Sequence, residues 1–191
     1  MKVFLIRHAQ SEENVLDLRA QTTFEEYNAV LRRSPAAALT PLGEQQASAV
    51  AERMARERIE RLYSSPFHRA LSTAAVIGAA TGLTPQILDD LREVLPTPLD
   101  KPRRNASLRR HFIRSYLRML LPMPGDQSWA AGYRRARSAW ATVTAEPATE
   151  IALVSHRGLI GLILLSLRRN RHWRILQSDL SNGGISVVQR K

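Results

Sequence analysis

The chain has 191 residues, 44% of them hydrophobic, which suits one compact domain with a sizeable core. It has no cysteine, which excludes disulfides, thiolate metal sites and a cysteine nucleophile. The formal net charge of +11 is uneven: residues 1–100 carry 11 Lys or Arg against 13 Asp or Glu, and residues 101–191 carry 17 against 4. Such a field attracts phosphorylated small molecules, and charge alone does not separate these from nucleic acid or an anionic membrane surface. No apolar run approaches a secretory core or a membrane span of about 20 residues, so a cytoplasmic protein is expected.

The run Val3-Phe4-Leu5-Ile6 predicts a buried strand ending in Arg7-His8, where an α/β sheet presents its chemistry. Thr40-Pro41, followed by Glu44 and apolar Val50, Met54 and Ile59, predicts a helix capped by Thr40 and running to about Arg58. Arg61-Leu62-Tyr63-Ser64 reads as a short strand. Ser65-Pro66 then starts a helix that buries Ala70, Leu71, Ala74, Ala75 and Ile77 and stops at Gly82. Arg69 falls in its first turn, where unpaired N–H groups and the helix dipole already favour an anion.

Gln86-Ile87-Leu88 reads as extended, and the acidic cluster Asp89, Asp90 and Glu93 leads into prolines 96, 98 and 102, a loop into an inserted segment. From Asn105 to Leu121, apolar Leu108, Phe112, Ile113, Tyr116, Leu117, Leu120 and Leu121 recur near helical spacing, with Arg109, Arg110, Arg114 and Arg118 mainly between them. This basic amphipathic helix is open to three readings: a solvated face over a core-facing stripe, a cap that shapes a substrate pocket, or a membrane or nucleic-acid surface. Residues 121–129 form a turn-rich connection into a helix from about Gln127 to Ala145. Ile151-Ala152-Leu153-Val154 is a second strand ending in a histidine, as Ser155-His156-Arg157, and Gly158–Leu167 is the helix after it. The turn Asn182-Gly183-Gly184 precedes a last strand, Ile185–Val188. Strands alternating with helices predict an α/β fold with a mainly parallel sheet.

Two strands each deliver a histidine beside an arginine, a combination that suggests an oxyanion site, since guanidinium forks match phosphate geometry and an imidazole can act as nucleophile, acid or donor. Five segments carry a more specific resemblance. IRHAQSEEN at 6–14, LTPLGEQQA at 39–47, LYSSPFHRALSTA at 62–74, LREV at 91–94 and LVSHRG at 153–158 come in the order of the blocks of the histidine phosphatase superfamily, which includes the phosphoglycerate mutase-like enzymes. The chain resembles the phosphatase branch of that family, with 95–150 the least familiar stretch.

The resemblance implies a three-layer sandwich of a mainly parallel central sheet flanked by helices, one domain over 1–191, with 95–128 a helical cap insertion. It implies that His8 attacks phosphorus and is phosphorylated, that Arg7 and Arg69 grip the phosphoryl oxygens, and that His156 donates to them. Asn14 matches a position that contacts phosphate, although a short Asn in a loop equally fixes a turn. Glu93 matches the general acid and base, with Asp89 and Asp90 as rivals. Four departures stand out: Ala9 and Arg157 each replace a glycine after a histidine, Gln10 stands where Glu is common, and LREV at 91–94 continues into prolines instead of the family's Gly and Trp-Glu-Gly pattern.

His68, His111 and His172 read as structural or surface residues, His111 and His172 lying in basic, surface-like segments. No spacing resembles a metal site, so neither metal nor cofactor is expected. The expected substrate is a small phosphorylated metabolite, with a phosphohistidine protein as the open-pocket alternative; nucleic acid is not expected. Phosphoglycerate mutase-like transfer and a non-catalytic binder of anionic surfaces or nucleic acid through the basic C-terminal half remain the competing readings.

Overall fold

The computed structural model describes residues 1–99, 105–121 and 128–191. Among the described residues fourteen β-strands and α-helices follow one another: strand β1 (Lys2–Arg7), strand β2 (Gln21–Thr22), helix α1 (Phe24–Arg33), helix α2 (Pro41–Met54), strand β3 (Arg61–Ser64), helix α3 (His68–Thr81) and strand β4 (Gln86–Ile87) come first. Strand β5 (Ala106–Ser107), helix α4 (Leu108–Arg118), helix α5 (Trp129–Thr144), strand β6 (Glu150–Ser155), helix α6 (Arg157–Leu167), strand β7 (Trp173–Gln177) and strand β8 (Ile185–Arg190) complete it.

Six strands form the central sheet in the order β4-β3-β6-β1-β8-β7. The pairs β4–β3, β3–β6 and β6–β1 are parallel, and β1–β8 and β8–β7 are antiparallel, so the sheet is mainly parallel with an antiparallel edge. Period-two alternation along β1 sends Val3 and Leu5 to a core under α5 and α6, and Phe4 and Ile6 to a second core under α2 and α3. Being covered on both faces is why β1 and β6 read as continuous apolar runs. A third, smaller cluster lies apart from the sheet: Tyr27 and Leu31 of α1 pack on Leu99, Leu108 and Phe112, below the short ribbon β2–β5.

Several boundaries differ from the sequence reading. Helix α2 stops at Met54, four residues early, because Arg58 and Glu60 N–H groups are already bound to Glu150 as the chain turns into β3. Helix α3 begins at His68 after Pro66, and its buried face is Ala70, Thr73, Ala74, Ile77 and Gly78; Leu71 is half-buried and Ala75 exposed. Helix α6 begins one residue early, at Arg157, and β8 runs two residues further, to Arg190. Helix α4 buries only Leu108, His111 and Ser115 and leaves Ile113, Leu117, Leu120 and Leu121 exposed, so its apolar stripe is not wholly core-facing. Helix α1, β7 and the β2–β5 ribbon answer to no sequence expectation. Pro102, the turn at 122–127 and the expected helix start at Gln127 lie outside the described residues. Among the described residues no helix is long and apolar enough to cross a membrane.

Gly43 is where the loop after β1 docks. A Cβ there would fall well inside van der Waals contact of the Gln10 carbonyl, and the same loop is held by Thr40 N to Gln10 O at 3.0 Å and Gln10 N to Gln46 Oε1 at 2.8 Å. Gly43→Ala is expected to destabilise the fold by about 2 kcal/mol or more through this backbone overlap, read as a lowered midpoint of chemical denaturation.

Candidate active site

The parallel register of β1 and β6 sets Arg7 opposite Ser155, and His8 N donates to Ser155 O at 2.9 Å. His8 and His156 therefore leave the carboxyl ends of adjacent strands side by side, with ring centroids 5.0 Å apart. Strand β3 ends next to them, so Ser65 Oγ and His156 Nε2 are hydrogen-bonded at 2.7 Å, and the first turn of α3 brings Arg69 to His8.

His8 is buried, and its hydrogen bonds set its tautomer. Arg69 Nε donates to His8 Nε2 at 3.0 Å, so Nε2 is the acceptor, and Nδ1 donates to Ala9 O at 2.7 Å. Burial first, then the Arg69 and Arg7 charges, lowers its pKa to about 3, against the opposing pull of the Ala9 carbonyl. His156, fully buried, is held well below its ordinary pKa by burial and by His8 and the surrounding arginines, and its Nδ1 has no partner among the described residues. Both rings rest neutral.

Arg69 is buried at the centre of a network. Its Nη1 lies 3.0 Å from Glu13 Oε2 and donates to Ser34 O, while Ser34 Oγ donates to the same Glu13 oxygen at 2.8 Å. Thr73 Oγ1 donates to Arg69 O and accepts from Ala9 N, which fastens the histidine loop to α3. Ala9 needs no left-handed backbone, since the positive φ angles among the described residues are at Gly82 and Gly183; its Cβ is accommodated in full burial. Gln10 is structural here, accepting through Oε1 from Thr40 Oγ1 at 2.8 Å. Arg7 donates from Nη1 to Leu180 O at 2.8 Å.

Glu93 sits at the N-terminus of α6. Its Oε1 accepts from Val94 N at 2.8 Å and its Oε2 from Gly158 N at 3.3 Å, an approach that a side chain at 158 would block. These donors lower its pKa, but burial outweighs them and the net shift is upward. Asp89, by contrast, is exposed and paired with Arg92. Arg135, on the core side of α5, donates to the carbonyls of Asp90, Arg92 and Glu93 at 2.5–3.3 Å and so ties down the loop that carries Glu93.

Arg7, His8, Asn14, Arg69 and Glu93 line one cavity of about 490 Å³, together with Glu13 and Arg157 and without Asp89 or Asp90. His156 adjoins His8 but is not on the cavity wall. Arg157 is exposed on that wall at the start of α6. Asn14 spends Oδ1 on its own turn, accepting from Ser11 N at 3.0 Å and from Asn182 Nδ2 at 2.8 Å. Its place on the wall joins this turn-fixing role to a position beside the cavity.

Glu13, Ser34 and Arg135 were missed in the sequence. Glu13 lies inside the block at 6–14, whereas Arg135 signals itself only as an arginine on the small-residue face of Gly132, Ala136 and Ala139. His111 corrects the surface reading: it is fully buried, stacked on Tyr27 at 5.5 Å, with Nε2 bonded to Thr22 O, because α4 turns it toward α1. His68 and His172 are exposed. Among the described residues no group of three or more His, Asp or Glu could hold a metal ion.

The sequence profile of the histidine phosphatase superfamily (branch 1) matches residues 3–191. The chain belongs to that superfamily. A curated relative from Hydrogenobacter thermophilus, named "Putative phosphoserine phosphatase 2", is 25% identical over 98% of this chain and 88% of its own length. Among solved structures, a phosphoserine phosphatase of Entamoeba histolytica in complex with phosphoserine aligns with a TM-score of 0.68 at 24% identity, over 97% of this chain and 89% of that one. A mycobacterial glucosyl-3-phosphoglycerate phosphatase aligns with a TM-score of 0.62 at 24% identity, over 87% of this chain and 79% of that one. At these identities the superposed structures establish the shared fold of this superfamily member.

Two outcomes are expected from the site's internal chemistry. Unfolded His8 and His156 take up protons near pH 6.5, and the folded rings do not. Their contribution to stability is therefore complete above that pH and lost as pH falls toward about 3, while Glu93, with its raised pKa, contributes in the opposite sense and loses its share as pH rises. The thermal midpoint should drop on acidification below pH 6.5, and His8→Ala should flatten that drop. Arg135→Met leaves three carbonyls without this donor and should cost about 2 kcal/mol, with faster amide exchange at 89–94 measured by hydrogen exchange.

Proposed function

We propose that the chain is a metal-independent phosphatase that hydrolyses a small phosphomonoester through a phosphohistidine on His8. The observation that carries this reading is the resting state of His8: neutral, with its Nε2 lone pair turned to the guanidinium of Arg69 on the wall of a cavity that also holds Arg7 and Glu93. An unprotonated imidazole next to two fixed cations is a nucleophile already placed where a phosphoryl group is attracted.

In this mechanism Nε2 of His8 attacks phosphorus in line while the bond to the leaving oxygen breaks, and Glu93 gives that oxygen its proton. Arg69 shifts its Nε–H from His8 to a phosphoryl oxygen, and Arg7 grips the others, so the charge spread over the equatorial oxygens in the transition state is met by guanidinium groups. His156, buried beside His8 and off the wall of the resting cavity, donates from its unpartnered Nδ1 once the phosphoryl group has entered past that wall, and Asn14 presents its amide nitrogen. Glu93, now a carboxylate, takes a proton from water whose oxygen attacks phosphorus. The N–P bond breaks, and inorganic phosphate and free His8 result. Burial raises the Glu93 pKa in the direction that keeps its proton available for the first step. Helix α4, which lies within the expected cap insertion and puts Phe112 and Tyr116 on the cavity wall, supports a site suited to small substrates.

The deciding experiment measures phosphate release from a nitrophenyl phosphate in the presence of EDTA. The expected result is turnover that disappears in His8→Ala; absence of release from both chains overturns the reading. Glu93→Gln should lower kcat about 10²–10⁴-fold on an alkyl phosphate; on nitrophenyl phosphate, whose leaving group needs little protonation, formation of the phosphohistidine should be spared and its hydrolysis slowed, so that a burst of nitrophenol precedes slow phosphate release. Activity should persist into acid, since His8 stays unprotonated to about pH 3. It should decline as pH rises through the raised pKa of Glu93, and the pH profile of kcat tests this sign.

A further inference from the structure

One side of the cavity is of a kind that phosphoryl chemistry does not use. Phe112 and Tyr116, one turn apart on α4, stack with ring centroids 6.4 Å apart and planes 24° apart, and Tyr116 stacks on Trp129 at 5.8 Å and 21°. Three near-parallel rings thus form a row, and all three line the cavity that holds His8 and Arg69. Leu95, Leu162 and Leu180 extend the apolar wall.

The row is built, not incidental. Trp129 Nε1 donates to Tyr116 O at 3.2 Å and Trp129 N to Met119 O at 3.1 Å, so the indole is fixed against the end of α4. Phe112 meets Tyr27 of α1 edge-on at 5.2 Å. Rings held in this way present area with little entropy left to lose on binding. The cavity volume of about 490 Å³ falls in the small-molecule range of roughly 300–1,000 Å³.

Charge argues the same way. Beyond the phosphoryl-binding Arg7 and Arg69, the described cavity wall offers Arg157 as a cation and Glu13 and Glu93 as carboxyl groups. A second anionic group would have one further cation, Arg157, to pair with, whereas an uncharged flat group needs none and has the rings with Leu95, Leu162 and Leu180 to rest on.

We infer that the substrate is a phosphomonoester of a flat aromatic alcohol, its phosphoryl group on Arg7 and Arg69 and its ring against the Phe112–Tyr116–Trp129 row. This substrate class rests on the phosphatase reading above. Stacking on such a row is expected to favour the aromatic ester about tenfold or more.

The test compares 1-naphthyl phosphate with phosphoserine and 3-phosphoglycerate as substrates of the intact chain, Trp129→Leu and Tyr116→Leu. The expected result is a kcat/KM at least about tenfold higher for naphthyl phosphate, carried mainly in KM, with the advantage lost in both folded variants. Equal rates for the three esters, a preference for either carboxylate-bearing ester, or an advantage that survives both substitutions overturns the inference and leaves the phosphatase reading intact. If no ester is hydrolysed, it is the phosphatase reading that fails. Equilibrium binding of the same three esters, followed by tryptophan fluorescence, then decides the pocket: tighter naphthyl phosphate binding that Tyr116→Leu abolishes upholds it, and equal binding overturns it.

Discussion

The parallel, in-register pairing of two central strands is the constraint on which the site depends. Because Arg7 stands opposite Ser155, the residues that follow, His8 and His156, leave the sheet together, and no loop flexibility is needed to bring rings separated by 148 positions in sequence to 5.0 Å. The neighbouring pair β3–β6 adds Ser65 beneath His156 and launches α3, whose first turn carries Arg69. The site thus lies at the carboxyl ends of the central strands, positioned by backbone hydrogen bonds that are formed before any ligand arrives.

Burial then decides the protonation state. Two imidazoles and two guanidinium groups within a few ångströms cannot all be charged, and the fold resolves the conflict in favour of the arginines, which hold their protons most strongly. The histidines are neutral because water is removed from them and because cations surround them, and both effects act in one direction. At Glu93 the effects oppose each other: the helix N-terminus and its N–H groups favour the carboxylate, and the loss of water favours the acid and wins. A neutral His8 beside a Glu93 whose pKa is raised is the consequence of burial acting on both groups, and it suits the roles proposed for them.

What the sequence conveyed depended on whether the signal was local. β1 and β6, covered on both faces, announced themselves as apolar runs, and Thr40 with Pro41 announced α2. The cap residues Thr23 and Glu26 of α1 offered an equally local signal, since each side chain bonds the other's backbone N–H, yet the helix went unread. His8, Arg69 and Glu93 were legible as members of motifs. Arg135 was not, because its partners are backbone carbonyls 42 to 45 positions away, which leave no mark in the residue types. His111 misled for a similar reason: a histidine among arginines looks solvated until the packing of α4 on α1 shows which way it turns.

Glu13 is the residue that gives the arrangement its balance. A carboxylate on the wall of an anion site would weaken it if it faced the anion alone, but here it shares Arg69 with Ser34 and His8. In the resting site Nε and Nη1 of the guanidinium are therefore both engaged, and His8 is held through its Nε2 lone pair. Under the proposed mechanism an entering phosphoryl group competes with Glu13 for Arg69 and releases Nε2 in the same movement, so the gain in binding is reduced by the pairing that is lost. For a phosphatase that reduction is useful, because tight binding of the phosphate product and of the ground state would raise the barrier to the next turnover, whereas interactions made with the redistributed charge of the transition state lower it.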